Sequence, residues 1–136
     1  MGNNMGKFKS IEEVRKYFEG DRFATVNGMV VDEYSEEHSV CSMELNENHK
    51  NANGGIMGGV IYTLADFAFA VLANNIHNPT VAQQVSMNFL SAPKGKRLIA
   101  TAKIRKDGRT STIIIVDVSD DTGRDIAVFT GTGFKL

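Results

Sequence analysis

The sequence has few of the residues that cross-link a small protein or give it a strong charge. Cys41 is the only cysteine among 136 residues, so the chain can form no internal disulfide, and this thiol is expected to pack as a small apolar group. There are 15 lysines and arginines against 16 aspartates and glutamates, without a block of either sign, which disfavours nucleic acid as a partner. The N-terminus has no apolar run typical of a signal peptide, so the cytoplasm is the expected location.

Metal-ligand patterns are missing as well. His38, His49 and His77 lie far apart in polar segments, and we expect them on the exposed surface, with no metal site and no cofactor. A chain that is 42% hydrophobic and 23% charged is typical of an ordinary globular protein. At this length we expect one domain over residues 1–136, in which residues 1–9 form a mobile lead-in.

The longest apolar stretch lies in the middle of the chain. Residues 51–75 have the sequence NANGGIMGGVIYTLADFAFAVLANN, in which glycines precede an apolar run from Val60 to Ala73. The leucines and alanines of this run favour a helix. The run is too short and too interrupted to span a bilayer, so no membrane partner is expected. A helix that is apolar on nearly every side is expected to be wrapped by the rest of the protein.

Asp66 is the only charged residue in this run. Its helical neighbours at three and four residues are Tyr62, Thr63, Phe69 and Ala70. No cation of the helix can therefore pair with the carboxylate, which must be hydrogen-bonded, paired or neutralised if it is buried. Asp66 either accepts hydrogen bonds from another element or serves as a catalytic carboxylate in a cleft.

The glycines before the run also allow two interpretations. They are Gly54, Gly55, Gly58 and Gly59. Either they form only a flexible entry to the helix, or they let a ligand approach unpaired backbone N–H groups at its N-terminus. In the second case the helix carries both a carbonyl-polarising amide and a carboxylate.

The flanking segments predict an α+β protein. Residues 10–20 begin with the capping-box pattern SIEE and place apolar residues on one face of a short helix. From Phe23 to Met43 the apolar period is two, which predicts two strands joined by a turn. After a turn cluster at residues 74–79, four further strands are expected as a meander, at residues 81–90, 98–105, 110–118 and 125–134. The simplest packing curls about six antiparallel strands around the central helix.

This order of elements and the motifs within it resemble a known family, the hotdog-fold thioesterases. GGIMGGVIYTLADFAFA resembles their pattern of His-Gly-Gly followed by Leu-Ala-Asp, with an asparagine several residues earlier. NFLSAPKG resembles their strand-end motif, and GRTSTIIIVDVSDDTGRDIAVFTGTGF their last two strands. The similarity is closest to the phenylacetate-pathway (PaaI-like) acyl-CoA thioesterases of the 4-hydroxybenzoyl-CoA thioesterase superfamily. It implies a hotdog fold and the hydrolysis of an acyl-CoA or similar thioester, in which coenzyme A is part of the substrate.

The resemblance also implies roles for particular residues. Asp66 matches the carboxylate that activates water or attacks directly, and Gly58 matches the residue whose backbone N–H polarises the thioester carbonyl. Asn51 matches the asparagine that helps to hold the water. The residues implied to contact substrate, including basic groups for the coenzyme phosphates, are Met57, Gly59, Asn53, Ala82, Gln83, Phe89, Ser91, Lys94, Arg105 and Arg109.

Two positions depart from the family pattern. Met57 stands where the family has its histidine, and Ala82 stands where some relatives have a hydroxyl residue that helps to bind the water. The first departure favours an alternative function, that of a non-catalytic protein that binds acyl-CoA or another ligand. A hotdog dehydratase is a third possibility, but it would need a catalytic histidine near the helix, and the helical run contains none.

Helix geometry adds a constraint on assembly. Gly58 and Asp66 are eight residues apart, or about 12 Å along a helix axis. A single thioester carbon needs both groups within roughly 3 Å of the reacting atoms. If both act on one substrate, they come from different chains, which agrees with the dimeric sites implied by the resemblance. We therefore expect a homodimer with two equivalent sites, which exposed sheet faces could join into a homotetramer.

Overall fold

The structure of the protein is a computed structural model, and it describes residues 6–136. Helices alternate with strands in the first part of the chain, and strands alone make up the last part. The elements are α1 Ile11–Phe18, α2 Arg22–Val26, β1 Val30–Tyr34, β2 His38–Glu44, a 3-10 turn Glu47–His49, α3 Gly58–Ile76, β3 Thr80–Phe89, β4 Arg97–Asp107, β5 Ser111–Asp120 and β6 Asp125–Lys135.

One antiparallel sheet contains all six strands of residues 6–136, in the order β1-β2-β4-β5-β6-β3. It curls around α3, which packs against every strand. Leu64, Ala68 and Leu72 of α3 are fully buried in this core. The predicted α+β architecture, a curled sheet around a long central helix with a short helix before it, is therefore confirmed. Cys41 also packs in the core as expected, with no exposed surface.

The prediction that the last four strands form a meander is wrong for β3. This strand pairs with β6 and forms the outer edge of the sheet, so among the last four strands only β4, β5 and β6 are consecutive neighbours. The link from β3 to β4 crosses the turn between β5 and β6. Local alternation predicts that a segment is a strand, but pairing across such a link depends on tertiary contacts that a single sequence does not display.

Asp120 anchors this crossing. It is only 2% exposed, and its Oδ2 accepts hydrogen bonds from the backbone amides of Lys94 (2.8 Å) and Gly95 (2.9 Å). Its Oδ1 accepts from the hydroxyl of Thr122 (2.6 Å) and the amide of Arg124 (3.1 Å). Burial raises the pKa of this carboxyl, but the hydrogen bonds from Thr122, Lys94, Gly95 and Arg124 outweigh burial and hold the pKa below its ordinary value.

Replacing Asp120 with asparagine is expected to lower the free energy of unfolding at neutral pH by about 2–3 kcal/mol, because hydrogen bonds to a charged acceptor are lost. Since the folded-state pKa is depressed, the stabilisation is complete above the unfolded-state pKa near 4 and is lost as pH falls toward the folded-state value. The difference between wild type and variant should therefore shrink in acid. Urea unfolding at neutral pH and at about pH 3 measures it, with the exposed Asp125→Asn as the matched control. A difference that is the same at both pH values would contradict this account.

Residues 6–9 are anchored, so the expected mobile lead-in is wrong for this part, while residues 1–5 lie outside the described residues. Phe8 is 5% exposed. Its amide donates to Oδ1 of the buried Asn75 (3.0 Å), and its carbonyl accepts from the hydroxyl of Tyr34 (2.9 Å). α1 begins where the capping pattern predicts, because the hydroxyl of Ser10 accepts from the amide of Glu13 (3.1 Å).

The first predicted strand begins later than expected, because α2 occupies Arg22–Val26. Ala24 on this short helix is buried, whereas Phe23 and Val26 are 70% and 79% exposed. A period of two over so few residues does not exclude a single helical turn. From Met29 onward the prediction holds, and β1 pairs with β2 across the expected turn.

α3 differs from its prediction in two respects. With 19 residues it is long and apolar enough, by length and composition alone, to cross a membrane, so the expectation that the run is too short is wrong. In this structure most of the helix is buried in the core. It is also not covered on all sides, because residues at a spacing of three and four form a stripe that is half-buried or exposed. The members of this stripe are Gly59, Thr63, Asp66, Ala70 and Asn74.

Candidate active site

The loop before α3 is held in shape by Asn51. Its side-chain Oδ1 accepts hydrogen bonds from the amides of Asn53 (2.9 Å) and Gly55 (3.1 Å), and its own amide donates to the carbonyl of Gly55 (2.7 Å). Gly54 has a φ of 84°, which favours glycine at this turn. The side-chain Nδ2 of Asn51 donates no hydrogen bond within residues 6–136. Asn51 is therefore rigid on its oxygen side and available as a donor on its nitrogen side.

His49 supports the same loop, and the expectation that it lies on the exposed surface is wrong. The residue is 1% exposed. Its Nδ1 accepts from the amide of Asn46 (3.0 Å), and its carbonyl accepts from the amide of Met57 (2.9 Å). Because Nδ1 accepts, the ring proton of a neutral imidazole lies on Nε2. The other two histidines, His38 and His77, are half-buried.

Met57 is the residue immediately before α3, and no side chain caps the helix there. Met57 is 51% exposed. The N–H groups of Gly58 and Gly59, the first two residues of the helix, donate to no acceptor in the part of the chain that the structure describes. They lie at the positive end of the helix dipole. Both amides are thus free to donate to a developing oxyanion.

Phe89 lies beside this helix end. A Cβ added at Gly58 would lie 3.2 Å from Cζ of the Phe89 ring, which is tighter than ordinary packing. The ring itself is 56% exposed. Glycine at position 58 therefore lets the end of β3 approach the start of α3, and it places an apolar ring next to the free amide.

Asp66 lies two helical turns further along and lines a cavity of about 350 Å³ between α2 and α3. The other residues that line it are Asp21, Arg22, Phe23, Ala24, Thr63 and Phe67. The carboxylate is half-buried. Within residues 6–136, no hydrogen bond or ion pair reaches it. The first interpretation, in which Asp66 accepts hydrogen bonds from another element, therefore has no support in the described chain.

Asp21 is a second carboxylate at this cavity, and sequence reasoning did not find it. It precedes α2 but makes no capping hydrogen bond with its side chain. Burial raises the pKa of Asp66, and the negative charge of Asp21 raises it further. Burial also raises the pKa of Asp21. The cavity thus contains two carboxyl groups that ionise less readily than ordinary ones.

Two of the remaining predicted residues lie on the outer edge strand. Ala82 and Gln83 are exposed on β3, and Gln83 falls at a break in the register with β6. They lie toward the beginning of the strand, whereas Phe89, which approaches the start of α3, is its last residue.

Two others lie in the link after β3. The hydroxyl of Ser91 donates to the carbonyl of Asp125, and Lys94 is held through its backbone amide by Asp120. Lys50 and Lys96 line a groove of about 530 Å³ between this link and the glycine loop. Lys50, which sequence reasoning missed, also pairs with Glu47 (2.8 Å).

Arg105 and Arg109 lie at the other end of the sheet within one protomer. Arg105 is eight residues beyond the first residue of β4, or about 26 Å at the usual strand rise. Arg109 follows the end of β4, and the carbonyl of the adjacent Gly108 accepts from Nζ of Lys135 (2.7 Å). In the sheet, Lys135 of β6 lies opposite Thr80, the first residue of β3, which follows the C-terminal end of α3. The structure therefore does not bring these two arginines together with Gly58.

Comparison with known proteins gives the family. The sequence model of the thioesterase superfamily matches residues 53–127, which include the glycines before α3, α3 itself, β3, β4, β5 and the start of β6. The chain belongs to the thioesterase superfamily. As a member of this superfamily it is a thioester hydrolase.

Three relatives indicate which part of the superfamily this thioesterase resembles. The acyl-coenzyme A thioesterase PaaI of Escherichia coli K12 is 25% identical and covers 94% of this chain and 92% of its own. The phenylacetic acid degradation protein PaaI from Thermus thermophilus is 31% identical over 85% of this chain and 100% of its own, with a TM-score of 0.80. A thioesterase protein from Streptococcus pneumoniae, solved with coenzyme A, is 25% identical over 88% of this chain and 94% of its own, with a TM-score of 0.80. The resemblance to PaaI-like hotdog thioesterases is confirmed.

Proposed function

We propose that this thioesterase hydrolyses acyl-CoA thioesters, at sites that combine Asp66 of one chain with Gly58 of another. The observation that carries the proposal is that α3 has two functional groups without partners. One helix presents an unpaired, half-buried carboxylate in a cavity and free amides at its N-terminus. Both groups remain without a partner in the described part of the chain, as expected for groups that await substrate.

The proposed reaction is the hydrolysis of the thioester by water without a cofactor. Coenzyme A enters as part of the substrate. Asp66 takes a proton from water, whose oxygen attacks the thioester carbon. The N–H of Gly58 stabilises the oxyanion, supported by the helix dipole and by the neighbouring Gly59. The C–S bond then breaks, and the proton from water passes to the departing thiolate. We assign to Nδ2 of Asn51 the role of orienting the water, supported by the loop that holds its side chain and leaves Nδ2 without an acceptor in residues 6–136. Direct attack by Asp66 is the alternative.

The assembly we propose is a homodimer that pairs the β3 edges of two chains. β3 is ten residues long, and its outer edge pairs with no other strand of the described chain. Long free edges are rarely left uncovered. Val81 and Phe89 on this strand are 45% and 56% exposed, and the open stripe of α3 contains Asp66. Symmetric pairing would cover these surfaces and set two copies of α3 side by side, and outer sheet faces could then join dimers into a tetramer.

We assign the coenzyme phosphates to the groove beside the glycine loop. Lys96 and Lys50 line this groove, and Lys94 lies in sequence between two residues that line it, Pro93 and Gly95. Met57 and Asn53 flank the same loop and stay predicted contacts of the substrate. Arg105 and Arg109, at the far end of the sheet, stay predictions without support from their position. The proposal includes a cytoplasmic location, which also stays a prediction.

A second candidate function is acyl-CoA binding without turnover, and Met57 in place of the family's histidine favours it. The test is incubation of the purified protein with a panel of short, aromatic and long acyl-CoAs, following release of free thiol. We expect release with at least one class of acyl group at enzymatic rates. Tight binding of these thioesters without release would establish the second function in place of the first.

The pH dependence of kcat/KM tests the carboxylate pair. As a general base Asp66 acts when ionised, so kcat/KM should rise with pH through its raised pKa. Replacing Asp21 with asparagine removes a negative charge from the cavity, lowers the pKa of Asp66, and should move this acid limb to lower pH. The exposed Glu12→Gln, on α1, is the matched control. An acid limb at the same pH in wild type and Asp21→Asn would mean that the charge of Asp21 does not influence the base.

A further inference from the structure

We propose that the acyl group of the substrate occupies a second cavity, which adjoins the Asp66 cavity beneath α1 and α2, and that the enzyme prefers neutral acyl groups larger than acetyl. The inference rests on the proposed function and adds the class of acyl group. The second cavity has a volume of about 470 Å³. Its apolar walls come from several elements of the fold, and they are the side chains of Phe18, Met29, Val30, Val31 and Phe67.

Phe67 is the wall that the two cavities share. Its side chain lines both of them and is 4% exposed. The ring meets Phe18 edge to face, with centroids 5.9 Å apart and an interplanar angle of 87°. Because Asp66 and Phe67 both line the first cavity, a thioester bound at the carboxylate would have the Phe67 ring within the same space for its acyl chain. A chain that passes this ring enters the second cavity.

α2 and the residues around it line both cavities. Ala24 lines the Asp66 cavity, and the next residue, Thr25, lines the second cavity. The short helix is followed by Gly28, which has a φ of 79° and lets the chain turn back into β1. α2 is a short helix, and its side chains limit the volume of the cavities beneath it.

The chemistry of the walls selects the acyl group. Met29 and Val31 are 3% and 2% exposed, so they offer a dry surface for hydrocarbon. The charged residues that line the cavity, Arg15 and Glu19, are exposed and of opposite sign. Nε of Arg15 already donates to the carbonyl of Val31 (2.9 Å). Each methylene of an acyl chain buried here is expected to raise kcat/KM by about fourfold until the cavity is full.

The test fills the cavity from α2. Thr25 is half-buried, so Thr25→Phe adds a ring to the space beneath the helix with little demand on the core. We expect the ratio of kcat/KM for octanoyl-CoA to that for acetyl-CoA to fall by about tenfold or more. Val26→Phe adds the same bulk one residue further on, where the side chain is 79% exposed and lines neither cavity. This control should keep the wild-type ratio.

A second variant works in the opposite direction. Met29→Ala enlarges the cavity, and the chain length with the highest kcat/KM should shift to a longer acyl group. Equal loss on octanoyl-CoA and acetyl-CoA in Thr25→Phe, together with an unchanged optimum in Met29→Ala, would overturn the inference. If wild type released no thiol from any acyl-CoA, the proposed function would fail. Calorimetry with a non-hydrolysable octanoyl-CoA thioether would then test the cavity alone, because Thr25→Phe should weaken binding about tenfold and no weakening would overturn the inference.

Discussion

Replacing Asp66 with asparagine is expected to lower kcat by about 10²- to 10⁴-fold, the usual contribution of a general base. The amide has nearly the same volume as the carboxylate but can neither accept the proton of water nor attack the carbonyl. No hydrogen bond or ion pair reaches Asp66 within residues 6–136, so the substitution leaves no partner group unpaired.

The same substitution should not destabilise the fold. Burial and the charge of Asp21 both disfavour the ionised form of Asp66, so removing that charge is expected to keep the melting temperature or to raise it slightly. Thermal unfolding and thiol release from the best acyl-CoA measure the two effects separately. The exposed Asp117→Asn is the matched control. A variant that keeps the wild-type kcat would show that Asp66 is not the catalytic group. A variant that unfolds at lower temperature would show that the carboxylate stabilises the fold.

The half-buried, unpartnered position of Asp66 could be predicted from sequence, whereas its catalytic role stays a prediction. A single charged residue within an apolar helical run is expensive to bury, and no structural partner was available at helical spacing. The same argument applies to the glycines that precede the helix. Their free amides follow from the position of the helix start, which the change from polar loop to apolar run marks clearly.

Asp21 could not be found in this way. It lies in a polar segment far before Asp66 in the chain, where an acidic residue is ordinary. Only the packing of α2 against α3 brings the two carboxyl groups to one cavity. The second cavity is hidden for the same reason, since Met29 and Phe67 each have the sequence pattern of core residues.

The position of β3 within the sheet also could not be predicted from sequence. Its alternation predicted a strand correctly, but its place at the edge of the sheet depends on the link that Asp120 holds. His49 is a similar case, because a histidine in a polar loop has no local pattern that indicates burial. The capping-box hydrogen bond that its Nδ1 accepts from the amide of Asn46, three residues earlier, became visible only in the structure.

The assembly prediction concerns two variants that are each inactive alone. Asp66→Asn removes the base, and Gly58→Pro removes the donor amide. Gly58 is the first residue of α3, where proline is well tolerated. Met57 before it has φ −63° and ψ 135°, a conformation compatible with a following proline. Since the amide of Gly58 has no acceptor in the described chain, the substitution removes no internal hydrogen bond.

Phe89 is the one steric obstacle found within residues 6–136, because any substituent at Gly58 meets its ring. Gly58→Ala is therefore the matched control: it adds a Cβ next to Phe89 but keeps the N–H. We expect the alanine variant to retain much more activity than the proline variant. Equal loss in both variants would assign the defect to crowding by Phe89 and not to the missing donor.

Refolding the two inactive variants together should restore thiol release. A mixed dimer then has one site with both defects and one site with neither, so it should show about half of the wild-type activity. With equal amounts of the two chains and random pairing, half of the dimers are mixed, and the sample should recover about a quarter of the wild-type rate. If Gly58 and Asp66 served the same thioester within one chain, each site of a mixed dimer would have one defect and nothing would be recovered. Because the two groups lie about 12 Å apart on one rigid helix, recovery is the expected result, and demonstrably mixed, folded dimers without activity would disprove the shared site.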